Sequence, residues 1–391
     1  MIEAVILAAG KGVRLSPLTD EIPKPMLPLG DTTILGNILK IFKSSGISKI
    51  SIVVGHKSEI IKNYLNENDF GIQIKFIEQK ERLGTGHALM IASKYVKSDF
   101  ICVYGDLLFR QDFIESLISN FMSSDSIAIM ALTESDTPEF YGSVLVKGDK
   151  VVGIFEKSDN PPSNLINTGI YCFRKEAFEY INKTQLSPRG EYELTDSIKM
   201  MMESGNNIKW VTLGGKWLDI GRPWDLIDAN EFFLESMKNY ISKNSVISSD
   251  SKIGTPVYID FGAFIENSVI ESPCLISKNT KISKGTKISC SVIRENVTIG
   301  KNCIIENSLI MDRVKIGDNS KISYSIIGEE SNIGNNVVFE SSSDKNIFFE
   351  IKGVMVDTNR RKLGSILGKR VKIEDNKIIN PGQKIESNKI I

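Results

Sequence analysis

The chain has 391 residues, with 48 Lys+Arg balanced by 48 Asp+Glu and 41% apolar side chains. A net charge of zero argues against a general nucleic-acid binder, and no apolar run reaches the length that crosses a bilayer. The five cysteines (Cys102, Cys172, Cys274, Cys290, Cys303) are odd in number and show no C-x-x-C; with no secretory n-region or cleavage site, they read as reduced, mostly buried thiols of a cytoplasmic protein of two or three domains. In chain order, the apolar run at 4–7 predicts a buried parallel strand. Gly10 and Gly12 then allow a tight turn whose N–H groups can cradle phosphates, and Arg14 and Lys24 add two cations to the same rim, a set suited to a triphosphate. Two familiar phosphate motifs are excluded. Leu15 stands where the third glycine of G-x-G-x-x-G would be, and no G-x-x-x-x-G-K-[ST] occurs.

What remains, Leu7-Ala8-Ala9-Gly10-x-Gly12-x-Arg14-Leu15 followed by Lys24-Pro25, resembles the signature of the sugar-1-phosphate nucleotidylyltransferases. The resemblance implies that Leu7, Ala9, Gly10 and Gly12 bind nucleotide. It also implies that Arg14 holds the leaving pyrophosphate and Lys24 the α-phosphate or the sugar phosphate.

Helical spacing at 34–44, a strand at 50–54, a helix at 58–66 and a strand at 72–77 give a β-α-β-α rhythm. That rhythm predicts a Rossmann-like, mixed but mostly parallel sheet, with ligands at the carboxyl ends of its strands. Gln79 and Gly84-Thr85-Gly86-His87-Ala88 follow one such strand. This segment resembles the base-recognition segment of N-acetylglucosamine-1-phosphate uridylyltransferases, which implies that Gln79 and Gly84 contact a pyrimidine with Thr85 nearby; His87 is read as a packing residue. The apolar run 100–104 ends in Gly105-Asp106. A carboxylate at that place suits Mg²⁺, and the family's Y-G-D motif implies that Asp106 is a metal ligand. Further on, Tyr141-Gly142, Glu156-Lys157 and Asn167-Thr168-Gly169 resemble the family's sugar sites. By that resemblance Gly142, Glu156, Asn167 and Thr168 face the hexose and Lys157 faces its phosphate, although Ser158 stands where relatives often carry proline. Residues 190–196 read as the capped, structural entry to a helix at 197–203. Trp217-Leu218-Asp219-Ile220-Gly221 resembles the W-x-D-I-G segment, which implies that Asp219 is the second metal ligand.

Residues 223–243 predict a connecting helix. Beyond it isoleucines recur six apart at Ile270, Ile276, Ile282 and Ile288, resume after a five-residue step at Ile293, Ile299 and Ile305, and continue through Ile333. A period of six is neither helical nor a simple alternation; it is the hexapeptide signature of a left-handed parallel β-helix. The expected organisation is a nucleotidylyltransferase domain over 1–224, a helical connector over 225–245 and a β-helix over 246–391.

The layout resembles bifunctional enzymes that also acetylate amino-sugar phosphates with acetyl-CoA, whose β-helix supplies a histidine base. Here the only histidines are His56 and His87, so acetyl transfer is expected to be absent, unless a carboxylate substitutes. The basic run at 359–362 suits a solvated face or a CoA phosphate, and the β-helix is expected to assemble trimers. The expected reaction takes UTP or dTTP and glucose- or N-acetylglucosamine-1-phosphate, with Mg²⁺ as cofactor and neither nucleic acid nor membrane as partner. Alternatives are a GDP-mannose-forming enzyme and a non-catalytic regulatory or assembly subunit. The four groups Arg14, Lys24, Asp106 and Asp219 argue against the last.

Overall fold

The computed structural model describes residues 2–391. The chain forms two compact units: one holds the chain up to Lys11, Pro23–Met26 and Ile34–Asp219, and the other holds Gly12–Ile22, Leu27–Thr33 and Ile220–Ile391.

The first unit is an α/β layer structure. Its elements are β1 (Glu3–Ala8), α1 (Ile34–Ser44), β2 (Lys49–Val54), α2 (Ser58–Glu67), β3 (Gln73–Glu78), α3 (Thr85–Ala92) and β4 (Phe100–Tyr104). There follow α4 (Gln111–Met122), β5 (Ala128–Glu134), β6 (Gly142–Lys147), β7 (Lys150–Glu156), β8 (Leu165–Phe173), α5 (Leu194–Glu203) and β9 (Ile208–Thr212). The sheet order is β3-β2-β1-β4-β8-β5-β9-β7-β6. The run β3-β2-β1-β4 is parallel, and β8 turns the sheet mixed by pairing antiparallel with β4 and β5. β1 is buried along almost its whole length, as a central strand covered on both faces must be. α1 places Ile34, Leu35, Ile38, Leu39 and Phe42 on its buried side at the three- and four-residue spacing of an amphipathic helix. The chain winds from β1 outward to β3 and then returns to the other side of β1 as β4, so β1 and β4 flank the switch point where open α/β sheets bind ligands.

The second unit contains α6 (Asp225–Glu235) and a coil of short parallel strands in three sheets. α6 is shorter than the 223–243 read from the sequence. Tyr240–Ile241 is already extended, because it pairs with Tyr258–Ile259 as the first rung. Ile282, Ile299, Ile316, Ile333 and Ile373 stack in one register, and Ile288, Ile305 and Ile322 in another. The five-residue step seen in the sequence therefore closes each turn of the coil rather than interrupting it.

Corners are set by asparagines in the left-handed region, including Asn302, Asn319 and Asn336 with φ of 53°, 58° and 55°. Asparagine tolerates that conformation better than any residue but glycine. Its amide also propagates a ladder: Asn302 donates to Asn319 at 3.2 Å, Asn319 to Asn336 at 3.1 Å, and Asn336 to Asn376 at 2.9 Å. The coil is interrupted once, where pairing passes from Phe339 directly to Ile379 and the intervening chain forms the hairpin Phe348–Ile351/Val354–Asp357.

One sheet has apolar residues on both faces. Leu275, Val292, Leu309, Ile326 and Ile366 stand in register beside the inward-facing set and point outward, yet each is 0–1% exposed. Ile227 and Leu234 of α6 share a cavity with Val292 and Leu309, so α6 covers part of this outward stripe. The basic run at 359–362 is partly engaged: Arg360 pairs with Asp228 through both terminal guanidinium nitrogens, and Lys362 lies 5.7 Å from the centre of the Tyr324 ring. All five cysteines are free, and all but Cys290 are buried. Burial pushes the Cys274 thiol up to about 12, so it is inert at neutral pH.

Candidate active site

Three of the predicted groups meet at one point. Asp106 lies just past the carboxyl end of β4. Leu107–Leu108 pairs antiparallel with Leu218–Asp219, and this short ribbon carries Asp219 to the same place. Lys24, in a 3-10 turn with Pro25, is 8% exposed and puts its ammonium 2.5 Å from Asp106 Oδ2 and 3.5 Å from Asp219 Oδ1. Two carboxylates around one lysine leave the trio net negative. The other Asp106 oxygen, Oδ1, is buried without a hydrogen-bond partner. A buried carboxylate oxygen left without a donor is costly, so the group is poised for a cation or a donor. Among the described residues no cluster of three or more His, Cys, Asp or Glu forms a metal cage.

Leu7 and Ala9 lie at the end of β1, with Leu7 in register with Val53 and Tyr104. Gly10 follows them in the first unit. Gly12 and Arg14 belong to the second unit. Gly12 has φ 65° and its carbonyl accepts from the Leu15 N–H at 2.8 Å and the Thr19 hydroxyl at 2.9 Å; Arg14 is exposed. In the first unit His56 follows β2. Its imidazole is held below the ordinary range by desolvation first and then by the cations Lys57, Arg82 and Lys11, so it is neutral at pH 7.

Gln79 is buried at 4%, and its NH₂ donates to the Gly84 carbonyl at 3.1 Å and meets His87 Nδ1 at 3.1 Å. Given that amide assignment, His87 carries its proton on Nε2 and orients Gln79, which sharpens its packing role. The glycines at 84 and 86 have a packing cause as well. A Cβ on Gly84 would lie 2.6 Å, and one on Gly86 2.8 Å, from the Tyr192 carbonyl oxygen, which accepts from Gly86 N–H at 2.7 Å. Thr85 Oγ1 accepts from Leu194 N–H at 3.2 Å. This segment is thus clamped by the chain at 190–194, which the sequence reading took as a helix entry alone.

On the sugar side, Gly142 and Glu156 are cross-strand partners. A Cβ on Gly142 would stand 3.0 Å from Glu156 Oε1 and 3.6 Å from the Asn167 Cβ, so these three share one spot. Asn167 donates to the Tyr171 hydroxyl at 2.6 Å and accepts from Gly169 N–H at 3.2 Å, and Tyr171 meets the Tyr104 hydroxyl at 3.3 Å. Gly169, with φ 79°, is required because a Cβ would lie 2.6 Å from the Tyr104 ring. Burial pushes both phenols well up, so they stay neutral. Thr168 stands apart from this group: it is 1% exposed and its hydroxyl donates to the Ala131 carbonyl at 2.8 Å. Lys157 is exposed in the left-handed region at φ 46°, an uncommon conformation for lysine.

Two further residues join the spot that the sequence reading left out. Arg189 lies 3.9 Å from Glu156 and 2.8 Å from Glu193. Burial raises the Glu193 carboxyl, against the opposing pull of Arg189. The signal available for them was the Gly190–Asp196 motif itself, which has no periodicity of its own to show that it folds back across β7.

Comparison with known proteins bears on the family. Residues 3–236 match the Nucleotidyl transferase family, and residues 263–344 match the EIF2B subunit epsilon LbH domain, a left-handed β-helix. The chain is 39% identical to a Methanococcus aeolicus protein named "Bifunctional protein GlmU", over 99% of this chain and 92% of that one. It is 32% identical to a Sulfurisphaera tokodaii protein named "Bifunctional sugar-1-phosphate nucleotidylyltransferase/acetyltransferase", over 98% of this chain and 94% of that one. A solved Bacillus anthracis structure, named for glucose-1-phosphate thymidylyltransferase and containing sucrose, superposes with a TM-score of 0.56 at 27% identity, covering 62% of this chain and 98% of its own. On these matches, and with the paired carboxylates at the sheet's switch point, the chain belongs to the sugar-1-phosphate nucleotidylyltransferase family.

Proposed function

We propose that the chain transfers a uridylyl or thymidylyl group from UTP or dTTP to glucose-1-phosphate or N-acetylglucosamine-1-phosphate, releasing pyrophosphate. The observation that carries the reading is Lys24 held between Asp106 and Asp219 at the carboxyl ends of the strands. A sugar-phosphate oxygen forms a bond to the α-phosphorus while the bond from that phosphorus to the bridging oxygen breaks, and the pair of electrons leaves with pyrophosphate. A phosphate dianion is already nucleophilic, so the chain's contribution is positioning and charge complementarity. Lys24 neutralises the α-phosphate or the sugar phosphate, and Arg14 holds the leaving pyrophosphate. Leu7, Ala9, Gly10 and Gly12 frame the nucleotide. Gln79, its NH₂ held by Gly84 and His87, offers its remaining amide oxygen as an acceptor to a pyrimidine N–H beside Gly84 and Thr85. Gly142, Glu156 and Asn167 receive the hexose with the backbone at Thr168, and Lys157 receives its phosphate. The orphaned Asp106 Oδ1 and the second carboxylate on Asp219 fit Mg²⁺, which when bound would supply charge neutralisation at the phosphates.

The test is pyrophosphate release with Mg²⁺, crossing UTP, dTTP, GTP and ATP with glucose-, N-acetylglucosamine- and mannose-1-phosphate. Release with UTP or dTTP is expected and names the sugar in the same experiment. Release only with GTP and mannose-1-phosphate would overturn the role of Gln79, and no release with any pair would favour a regulatory or assembly subunit.

A second reading, acetyl transfer from acetyl-CoA, draws support from relatives whose names include it and whose matches extend over the β-helix. Against it stands the lack of histidine in the second unit. Release of CoA thiol in the presence of glucosamine-1-phosphate decides between them. We infer trimeric assembly through the β-helix, and sedimentation equilibrium at several loading concentrations tests it.

A further inference from the structure

The second unit is more than a β-helix, because two stretches from the start of the chain fold with it: 12–22, which carries Arg14, and 27–33. In sequence they flank Lys24 on either side. Specific bonds to the β-helix and α6 hold both.

Arg370 forms a two-pronged pair with the Glu21 carboxylate, with Nη1 at 3.2 Å from Oε2 and Nη2 on Oε1, and Lys369 stands 3.8 Å from the same carboxylate. Pro17, Leu18 and Ile22 line a small cavity with Met311 and Leu367, so the same stretch also packs on the coil. The second stretch is held through its backbone. Arg294, with only 12% of its side chain exposed and Asp312 on its Nε, donates to the Gly30 carbonyl at 2.8 Å and to the Thr32 carbonyl at 3.4 Å. Asn230 of α6, 4% exposed, accepts from Gly30 N–H at 2.9 Å and donates to the Pro28 carbonyl at 3.3 Å.

These bonds fix backbone atoms and one carboxylate with paired donors, a geometry that sets position. The Arg370–Glu21 pair is itself partly exposed, and exposed ion pairs contribute little to stability. Bidentate guanidinium pairs, by contrast, fix orientation. We propose that the β-helix is a brace for nucleotidyl transfer, with Arg370 and Arg294 as positioning residues that act through the stretches 12–22 and 27–33. The catalytic consequence rests on the reading of Arg14 given above; the brace itself rests on the bonds.

The test is a charge swap: Arg370→Glu, Glu21→Arg and the double variant. Each is measured for kcat and KM with the substrate pair on which the wild type releases pyrophosphate, and for hydrogen–deuterium exchange of the peptide covering 12–22. Each single variant is expected to lose about ten-fold in kcat, the scale of a small misplacement of a reacting group, with KM for the sugar phosphate little changed and exchange of 12–22 accelerated. The double variant is expected to recover both, which a merely stabilising pair would not do for kcat. An Arg370→Glu variant with wild-type kcat and wild-type exchange overturns the brace, as does a double variant no better than the singles. A wild-type chain that releases no pyrophosphate with any pair overturns the site reading instead. Exchange then judges the brace alone: faster exchange in Arg370→Glu supports it and unchanged exchange overturns it.

Discussion

Both units bury isoleucine and valine in parallel strands, but they distribute consequence differently. In the first unit consequence is concentrated in single residues: Lys24 is held between Asp106 and Asp219, and Gly169 lets β8 pass the Tyr104 ring. In the second unit the same task is repeated. Ile282, Ile299, Ile316 and Ile333 fill equivalent places on successive turns, and Asn302, Asn319 and Asn336 turn equivalent corners. A unit that concentrates function in single residues should be sensitive in activity and tolerant in stability at those residues. A repetitive stack should show moderate and nearly uniform stability costs along its length.

The largest expected effect breaks the first unit without touching its fold. Asp106→Asn, or Lys24→Met, should lower kcat by about 10²–10³-fold while the far-UV circular dichroism stays at wild type, because an electrostatic contact at the reacting phosphates is lost and little packing changes. Near-normal turnover in either variant would remove that residue from the mechanism.

Next in size is the stack. Ile282→Ala, Ile299→Ala and Ile316→Ala, each fully or almost fully buried, should each cost about 2–5 kcal/mol in guanidinium denaturation. The three values should fall close together. A wide spread would show that the turns are not equivalent and would weaken the contrast with the first unit.

Smaller still is the corner ladder. Asn319→Ala should cost about 1–2 kcal/mol for placing a Cβ residue in the left-handed region, whereas Asn319→Gly should cost less despite losing the same amide bonds. Equal costs would assign the stability to the ladder rather than to the backbone.

The smallest effect is the acid limb. In the second unit Asp375 is held below its ordinary range chiefly by the Asn335 N–H, and Glu350 chiefly by the Gly353 N–H and then by Lys384; in the first unit Asp149 is held down by Lys209. A depressed carboxyl contributes stability that is present above its unfolded value and lost as pH falls through its folded one. Melting temperature should therefore decline modestly in both units below about pH 4, and Asp375→Asn should flatten that decline in the second. Glu193, raised by burial, has the opposite sign: its contribution falls as pH rises through the window above its ordinary value, so Glu193→Gln should favour the first unit at neutral pH. A thermal melt of each variant at several pH values reads both signs.

The sequence by itself determined a good deal. The period of six could only be a β-helix, because neither a helix nor a sheet of ordinary strands keeps it over so many turns. The alternation of strand and helix before it determined the parallel half of the sheet, and the residues just past strand ends determined where the polar groups would gather. Some of what was missed was also written there. Leu275, Val292, Leu309 and Ile326 recur with the coil, a second apolar stripe that signals a covered outer face.

Only the tertiary structure decided the rest, and for one physical reason: it depended on which distant segments touch. That Gly84 and Gly86 are glycines because the chain at Tyr192 crosses them was invisible in a local motif. So were the engagement of the Thr168 hydroxyl with Ala131, and the arrival of Arg189 and Glu193 beside Glu156. Above all, no periodicity or motif tells that residues 12–22 and 27–33 fold with the β-helix, since the bonds that hold them join Glu21 to Arg370 and Gly30 to Arg294 across most of the chain.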